Sequence, residues 1–174
     1  HGVDFAVEVG RVSVLIGENG AGKSTLMRIL AGIETPSEGE VHVDGHPVRL
    51  NGAREAAARG IGMVHQELNL CPNLSVAENI FLLGSRKGLL DRSGEREKAR
   101  ALLARLRQNI DPDRRVATLS IGEQQIVEIA KALAEECRVL ILDEPTSALS
   151  EAEVEVLFEV IGDLKRSVVG IVYI

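Results

Sequence analysis

The sequence predicts an α/β fold in which a parallel sheet carries helices on both faces. Three observations support it. Residues 17–24 form a glycine-rich turn between an apolar run and a helix-like stretch, residues 139–142 form an apolar run that ends in two carboxylates, and apolar runs again alternate with helical patterns up to residue 174. Parallel neighbours need long crossover connections, usually helices, so this alternation favours a parallel sheet. An N-terminal β-rich layer and an inserted helical segment at residues 70–137 complete the predicted architecture.

The individual elements follow from apolar periodicity. Alternating or continuous apolar runs predict strands, at residues 2–9, 12–16, 40–43, 61–65, 139–142 and 168–174. Apolar spacings of three to four residues predict helices, at residues 53–59, 95–106, 121–135 and 151–165. Ser75 and Glu78 have the spacing of a capping box, which opens a further short helix. Asp44 and Gly45 predict a hairpin turn within the β-rich layer.

Composition and cysteine usage limit the class of protein. The chain has 174 residues, of which 45% are hydrophobic and 26% charged, as expected for one soluble domain with a substantial core. No apolar stretch approaches the roughly 20 residues that a bilayer requires, and the first residues lack a secretory signal pattern. Cys71 and Cys137 are far apart, which favours a reducing compartment. We therefore expect a cytoplasmic chain, and the spacing of its histidines gives no reason to expect a transition metal.

Residues 17–24 read Gly-Glu-Asn-Gly-Ala-Gly-Lys-Ser, the complete pattern G-x-x-x-x-G-K-S. Its glycines allow successive backbone N–H groups and the positive end of the following helix to converge on one anion. Lys23 is suited to the β- and γ-phosphate oxygens, and the Ser24 hydroxyl to Mg²⁺. The alternative is an ordinary glycine-rich turn. The predicted nucleotide-binding residues are Gly17, Asn19, Gly20, Ala21, Gly22, Lys23, Ser24 and Thr25.

Asp143 and Glu144 directly follow the apolar run 139–142. The carboxyl ends of parallel strands are where such sheets place ligand-binding groups. Asp143 is therefore a candidate for Mg²⁺ binding through water, and Glu144 for deprotonating a water that attacks the γ-phosphate. A polar turn that ends a strand is the alternative. Ser120 is similarly a predicted N-cap for the helix at 121–135. Pure capping is the default interpretation, and a second anion site formed by the hydroxyl and the free N–H groups is the alternative.

The stretch from Arg86 to Arg115 is basic, although the chain as a whole has a net charge of -6. It contains ten Lys or Arg residues and five acidic residues, a balance of +5 that leaves -11 elsewhere. A solvated helix face with ion pairs explains this balance. Nucleic acid is the alternative, but the stretch has no Phe, Tyr or Trp that could stack on bases. A surface that faces a membrane-bound partner is also compatible.

Together these motifs closely resemble those of the ATP-binding-cassette (ABC) ATPases. The likeness comprises the phosphate loop, Gln66 after a strand, an L-S-x-G-x signature that begins at Leu119, and an apolar strand that ends at Asp143, 24 residues after Leu119. It covers nearly the whole chain. The resemblance implies a P-loop NTPase fold of the RecA-like type, with ATP and Mg²⁺ as ligands.

The resemblance also implies a single nucleotide-binding domain over residues 1–174. Residues 1–69 and 138–174 would form the RecA-like core with its β layer, and residues 70–137 the helical subdomain that contains the signature. The domain is expected to be incomplete at both ends. The aromatic residue that stacks on adenine in this family would precede His1, and the switch histidine would follow Ile174.

Site roles follow from the same resemblance. In the family two cassettes enclose two ATP molecules head to tail, and the signature serine and glycine contact the γ-phosphate held by the opposite cassette, which assigns Ser120 and Gly122. Gln66 matches the glutamine that contacts Mg²⁺ and the attacking water and links the nucleotide to a transmembrane partner. The candidate catalytic residues are therefore Glu144, Gln66 and Lys23, and the candidate metal ligands are Ser24, Gln66 and Asp143. Residues 147–150 match the D-loop, with Ser150 where aspartate is commoner.

Longer stretches at residues 64–70, 73–82 and 124–133 resemble the first cassette of ribose, xylose, arabinose and galactose importers. This likeness implies a subunit that hydrolyses ATP to drive import of a simple sugar. Such a subunit binds the inner face of the cell membrane through permease subunits and serves an extracytoplasmic sugar-binding protein indirectly; no nucleic acid partner is expected.

Three other functions stay open at this stage. A nucleoside or other small-solute importer is the first, although its relatives tend to have His-Phe where this chain has Glu67 and Leu68. A soluble cassette that acts on nucleic acid or ribosomes is the second. The third is a nucleotide-binding module without turnover.

Overall fold

The computed structural model describes residues 2–18, 20–82, 92–134, 137–167 and 169–174. The strands in these ranges are β1 (Val12–Val14), β2 (Val41–Val43), β3 (His46–Val48), β4 (Ile61–Val64), β5 (Val139–Leu142) and β6 (Gly170–Tyr173). The α-helices are α1 (Lys23–Leu30), α2 (Ala53–Ala58), α3 (Val76–Ile80), α4 (Arg92–Arg105), α5 (Ile121–Leu133) and α6 (Glu151–Arg166). Some positions used in the sequence analysis lie outside the described ranges, namely His1, Asn19, Arg86 and the range ends 135 and 168.

Four strands form one parallel sheet in the order β1-β6-β5-β4. Ile61 of β4 pairs with Val139 of β5, which pairs with Gly170 of β6. On the other side of β6, Val12 of β1 pairs with Ile171. The parallel α/β fold predicted from the sequence is confirmed.

Helices cover both faces of this sheet. Successive side chains of a strand point to opposite faces, and here Leu140 and Leu142 belong to one apolar core while Ile141 belongs to another. The first core includes apolar residues of α3, α4, α5 and α6. The second includes Met27 of α1 and Ala56 of α2. All three strand residues are fully buried, so β5 is the apolar centre of the fold.

The strand predicted at residues 2–9 is not formed. Residues 2–8 have no regular secondary structure, and a turn at Val9 and Gly10 leads into β1. Phe5 and Val7 nevertheless pack against the second core. Their alternation with polar residues therefore reports burial of one side of the chain, whereas a strand also needs a backbone partner, and none of the described strands pairs with this segment. The hairpin at Asp44 and Gly45 is confirmed as the antiparallel pair β2–β3.

The helical segment between β4 and β5 is organised by a buried amide. Asn79 of α3 has no solvent exposure. Its Oδ1 accepts the Cys71 N–H at 2.7 Å, and its Nδ2 donates to the carbonyls of Cys71 at 3.0 Å and Ser75 at 2.9 Å. The predicted capping box at Ser75 and Glu78 is confirmed. Asn79 therefore fixes the loop that enters α3.

We predict that Asn79→Ala lowers the free energy of unfolding by about 1–3 kcal/mol, because it leaves the Cys71 N–H without its acceptor. The Cys71 and Ser75 carbonyls each lose one donor but keep a backbone donor, the N–H of Leu74 and of residue 79 respectively. Urea denaturation measures the change. Asn51→Ala is the control, since the Asn51 amide bonds Glu55 on an exposed surface and its loss is expected to cost less than about 0.5 kcal/mol. Equal effects of the two substitutions would contradict the role of Asn79.

Candidate nucleotide-binding site

The carboxyl ends of all four parallel strands meet at one edge of the sheet. The register continues past the strand ends, since the Leu15 N–H donates to the Tyr173 carbonyl at 2.9 Å and the Asp143 N–H donates to the Val64 carbonyl at 3.1 Å. Residues 17–24 follow β1, Gln66 follows β4 and Asp143 follows β5. Neighbouring strands are about 4.8 Å apart, so the strands that precede the loop and Asp143 lie about 10 Å apart. The predicted phosphate loop, carboxylates and glutamine are therefore on one edge.

The loop at residues 17–24 depends on glycine. Gly20 and Gly22 have φ values of 85° and 88°, which side chains of L-residues rarely adopt. Gly22 is also the N-cap of α1 and offers no side chain to the first N–H groups of the helix. The first turn of α1 contains no acidic residue. The positive end of α1 is thus left available to an external anion.

Lys23 lies across this loop. Its Nζ donates to the Gly17 carbonyl at 2.7 Å and to the Glu18 carbonyl at 3.0 Å. These carbonyls hold the ammonium group over the first half of the loop. A phosphate oxygen would form a charge-assisted hydrogen bond with the ammonium and is a stronger acceptor than a neutral carbonyl. Ser24 and Thr25, the next residues of α1, are exposed on the same turn.

Asp143 and Glu144 have different backbone environments. The Asp143 N–H continues the β4–β5 ladder, so the backbone of Asp143 is held in the plane of the sheet. Glu144 has a φ of 45°, one of the few left-handed residues other than glycine in the described part of the chain. Non-glycine residues in this region are strained and concentrate at functional sites. The loop beyond them is fixed by a 3.2 Å hydrogen bond between Thr146 Oγ1 and the Tyr173 hydroxyl.

Gln66 is exposed, and the loop that follows it is attached to α5. The Glu128 carboxylate accepts the Asn69 N–H at 2.8 Å, and Lys131 Nζ donates to the Asn69 carbonyl at 2.9 Å. The backbone N–H and the backbone carbonyl of Asn69 are therefore both bound by α5. Sequence reasoning missed Glu128 and Lys131; the available signal was that these two charged residues lie beyond the first turn of a largely apolar helix.

Ser120 and Gly122 form the N-terminus of α5, as predicted, and meet a carboxylate that sequence reasoning missed. Glu153 Oε1 accepts the Ser120 hydroxyl at 3.0 Å and the Gly122 N–H at 2.9 Å. Its Oε2 accepts the N–H and the hydroxyl of Ser150, the N-cap of α6, at 3.0 and 2.9 Å. The hydrogen bonds from Ser150, Gly122 and Ser120 lower the pKa of Glu153 to about 2. The capping-box spacing of Ser150 and Glu153 was the available signal.

Glu123 occupies the signature position where glutamine is common in the family that the sequence resembles. Its carboxylate accepts the Ser120 N–H at 2.8 Å, and Ser120 caps the Glu123 N–H in return. Arg114 also pairs with Glu123 at 2.6 Å. This departure therefore has a structural role at the start of α5.

The residues at the sheet edge fit the ligands that the resemblance implies. A glycine cradle, a lysine and an uncapped helix N-terminus suit phosphate. A serine hydroxyl and an aspartate carboxylate at the same edge provide the oxygen ligands that Mg²⁺ prefers.

The fold and its loop define a P-loop α/β domain. The chain belongs to the ABC transporter family, whose model matches residues 1–147. It is 52% identical over 176 residues to a ribose import ATP-binding protein of Rhodopirellula baltica, and 52% identical over 176 residues to a putative ribose/galactose/methyl galactoside import ATP-binding protein of Burkholderia cenocepacia. Both alignments cover 99% of this chain and 34% of the relative. The chain thus spans about a third of the length of these relatives.

Solved structures agree with this assignment. CbiO1 of Clostridium perfringens, part of an ABC transporter complex, has a TM-score of 0.83 and 27% identity over 99% of this chain and 69% of its own. A dimeric bacterial ABC transporter cassette has a TM-score of 0.80 and 30% identity over 98% of this chain and 77% of its own. Within the described ranges, none of the helices has the length and apolar character needed to cross a membrane.

We predict that Glu153→Gln lowers stability at neutral pH and that its difference from wild type shrinks in acid. A carboxylate with a depressed pKa stabilises the fold above its unfolded value of 4.5, and this contribution is lost as pH falls toward about 2. Thermal unfolding of both proteins at pH 7, 4.5 and 3 measures the difference. Glu155→Gln, an exposed change on the same helix, is the control. A difference that is constant across these pH values would contradict the assigned charge state.

Proposed function

We propose that this chain is an ATP-binding and ATP-hydrolysing cassette that drives import of a simple sugar. The observation that supports hydrolysis most directly is the glycine cradle with Lys23 on the sheet edge that also bears Asp143 and Glu144. The relatives described above include ATP-binding proteins for ribose and galactose import, which supports the sugar. ABC-type transport ATPase is accordingly the proposed activity.

The phosphate loop would hold the nucleotide through its charges and dipoles. Lys23 would exchange its carbonyl acceptors for β- and γ-phosphate oxygens, while the first N–H groups of α1 bind the same phosphates. Ser24 and Asp143, with Gln66, are the proposed ligands of Mg²⁺. When bound, Mg²⁺ supplies charge neutralisation at the β- and γ-phosphates.

Glu144 is the proposed general base. It lies two residues after the end of β5 with a strained backbone, where a carboxylate could accept a proton from a water in line with the γ-phosphate. Gln66 would orient that water through its amide. The attachment of Asn69 to α5 gives the loop after Gln66 a fixed anchor at its far end.

A second cassette is the proposed partner for catalysis. Ser120 and Gly122 would contribute a hydroxyl and an N–H to the γ-phosphate bound by the opposite cassette. Permease subunits would hold the cassette at the inner face of the cell membrane, and an extracytoplasmic sugar-binding protein would act through them. The basic segment does not require nucleic acid, because Arg96 pairs with Asp113 at 2.8 Å and Arg107 with Asp163 at 2.6 Å.

We predict that Lys23→Ala abolishes MgATP binding, whereas Glu144→Gln retains binding and stops hydrolysis. The first substitution removes the charge that the phosphates meet, and the second keeps the shape but not the basicity of the carboxylate. Isothermal titration calorimetry measures binding, and phosphate release measures turnover.

Lys165→Ala and Glu155→Gln are matched controls on the exposed side of α6, and neither is expected to change binding. Equal loss of binding in the Lys23 and Glu144 variants would contradict the assigned roles. Binding without turnover in wild type, at every protein concentration tested, would favour a nucleotide-binding module.

The sugar assignment predicts that this chain can replace the matching third of a ribose import ATP-binding protein. A chimaeric protein is expected to restore growth on ribose to cells that lack the native subunit, because the cassette surfaces would fit the same permease. The chimaera with Lys23→Ala is the control and is expected to fail. Failure of a folded, ATP-hydrolysing chimaera would contradict the sugar assignment.

A further inference from the structure

The donors proposed for the opposite γ-phosphate already have an acceptor within this chain. Oε1 of Glu153 accepts both the Ser120 hydroxyl and the Gly122 N–H. A carboxylate oxygen and a phosphate oxygen are alike in charge and in hydrogen-bonding capacity. Glu153 therefore occupies this pair of donors in the way a phosphate would.

The fit is close enough to exclude a second anion. A Cβ added to Gly122 would lie 2.5 Å from Glu153 Oε1 and 2.6 Å from its Cγ. The carboxylate thus fills the space directly beside the Gly122 backbone. A phosphate oxygen cannot bond the same two donors until this carboxylate moves, and the two negative groups would repel each other at that distance.

We infer that Glu153 is an internal gate of the signature site, whose carboxylate must turn away before the nucleotide of an opposite cassette can bind Ser120 and Gly122. This inference rests on the proposed function, because it takes the signature donors as the γ-phosphate contact. It adds a residue that competes with the nucleotide for those donors.

The second carboxylate oxygen of Glu153 has its own partners, which hold the side chain near Ser150. Oε2 is bound separately by the N–H and hydroxyl of Ser150, so the Oε1 contacts can be broken while the side chain stays at the start of α6. Pairing of two cassettes then requires the γ-phosphate of MgATP to displace the Glu153 carboxylate from the Ser120 hydroxyl and the Gly122 N–H. After hydrolysis and phosphate release, the carboxylate can return to Ser120 and Gly122 and favour separation.

Sedimentation velocity of the full chain in saturating MgATP tests the gate. All proteins carry Glu144→Gln so that the nucleotide persists. We expect added Glu153→Gln to lower the dissociation constant of the cassette pair at least tenfold, because a neutral amide binds the donors more weakly and does not repel phosphate. Glu78→Gln makes the same change in the capping box of α3 and is expected to have no effect on association.

A second variant separates loss of the contacts with Ser120 and Gly122 from loss of the negative charge. Glu153→Asp keeps the charge near Ser150 but shortens the reach to Ser120 and Gly122, and it is expected to strengthen pairing less than the glutamine does. Circular dichroism verifies that each variant is folded.

The outcomes separate the gate from the function on which it rests. Stronger pairing in both Glu153 variants supports the gate. Unchanged or weaker pairing, with normal MgATP binding by calorimetry, overturns it and leaves Glu153 as a capping residue. MgATP binding without pairing in any variant also overturns it. Failure of the starting protein to bind MgATP overturns the proposed function itself, and the gate with it.

Discussion

The backbone ladder of the parallel sheet is the constraint on which the candidate site depends. Parallel hydrogen bonding aligns β1, β6, β5 and β4, and it persists one residue beyond their ends, at Leu15 and Asp143. Groups that are far apart in sequence therefore reach one edge of the sheet. This alignment is stabilised by the apolar side chains of β5, which are buried on both faces of the sheet. The same strands therefore form the apolar core and place the candidate site residues at the edge of the sheet.

Much of the fold could be predicted because local patterns and tertiary packing agree. The apolar run at 139–142 is stable only as a buried central strand. The predicted serine caps at 75 and 120 each begin a helix where expected. Prediction failed at residues 2–9 because alternation specifies which side of a chain is buried but not whether a neighbour pairs with its backbone. Helix ends differed by one to three residues, where capping and local packing decide the boundary.

The candidate site was predictable to the extent that its chemistry is contiguous in sequence. Residues 17–24 and the pair Asp143 and Glu144 are complete local motifs. The contacts of Glu153 with Gly122 and of Glu128 with Asn69 join residues 31 and 59 positions apart, so neither could be inferred from spacing. The capping-box spacing of Glu153 with Ser150 indicates a local cap but not the contact with Gly122, and Glu128 has no local signal for its contact with Asn69. The role of each glutamate depends on which helix N-terminus or loop the fold brings to it.

The attachment of Asn69 by Glu128 and Lys131 has a consequence for how this domain can vary. The backbone N–H and C=O of Asn69 are both bound by side chains of α5. The loop after Gln66 is therefore expected to move together with this helix. The loop could not be exchanged without α5, since a new loop would leave the charged groups of Glu128 and Lys131 partly buried beside a backbone that does not bind them. Loop and helix would have to be inherited, or transplanted, together.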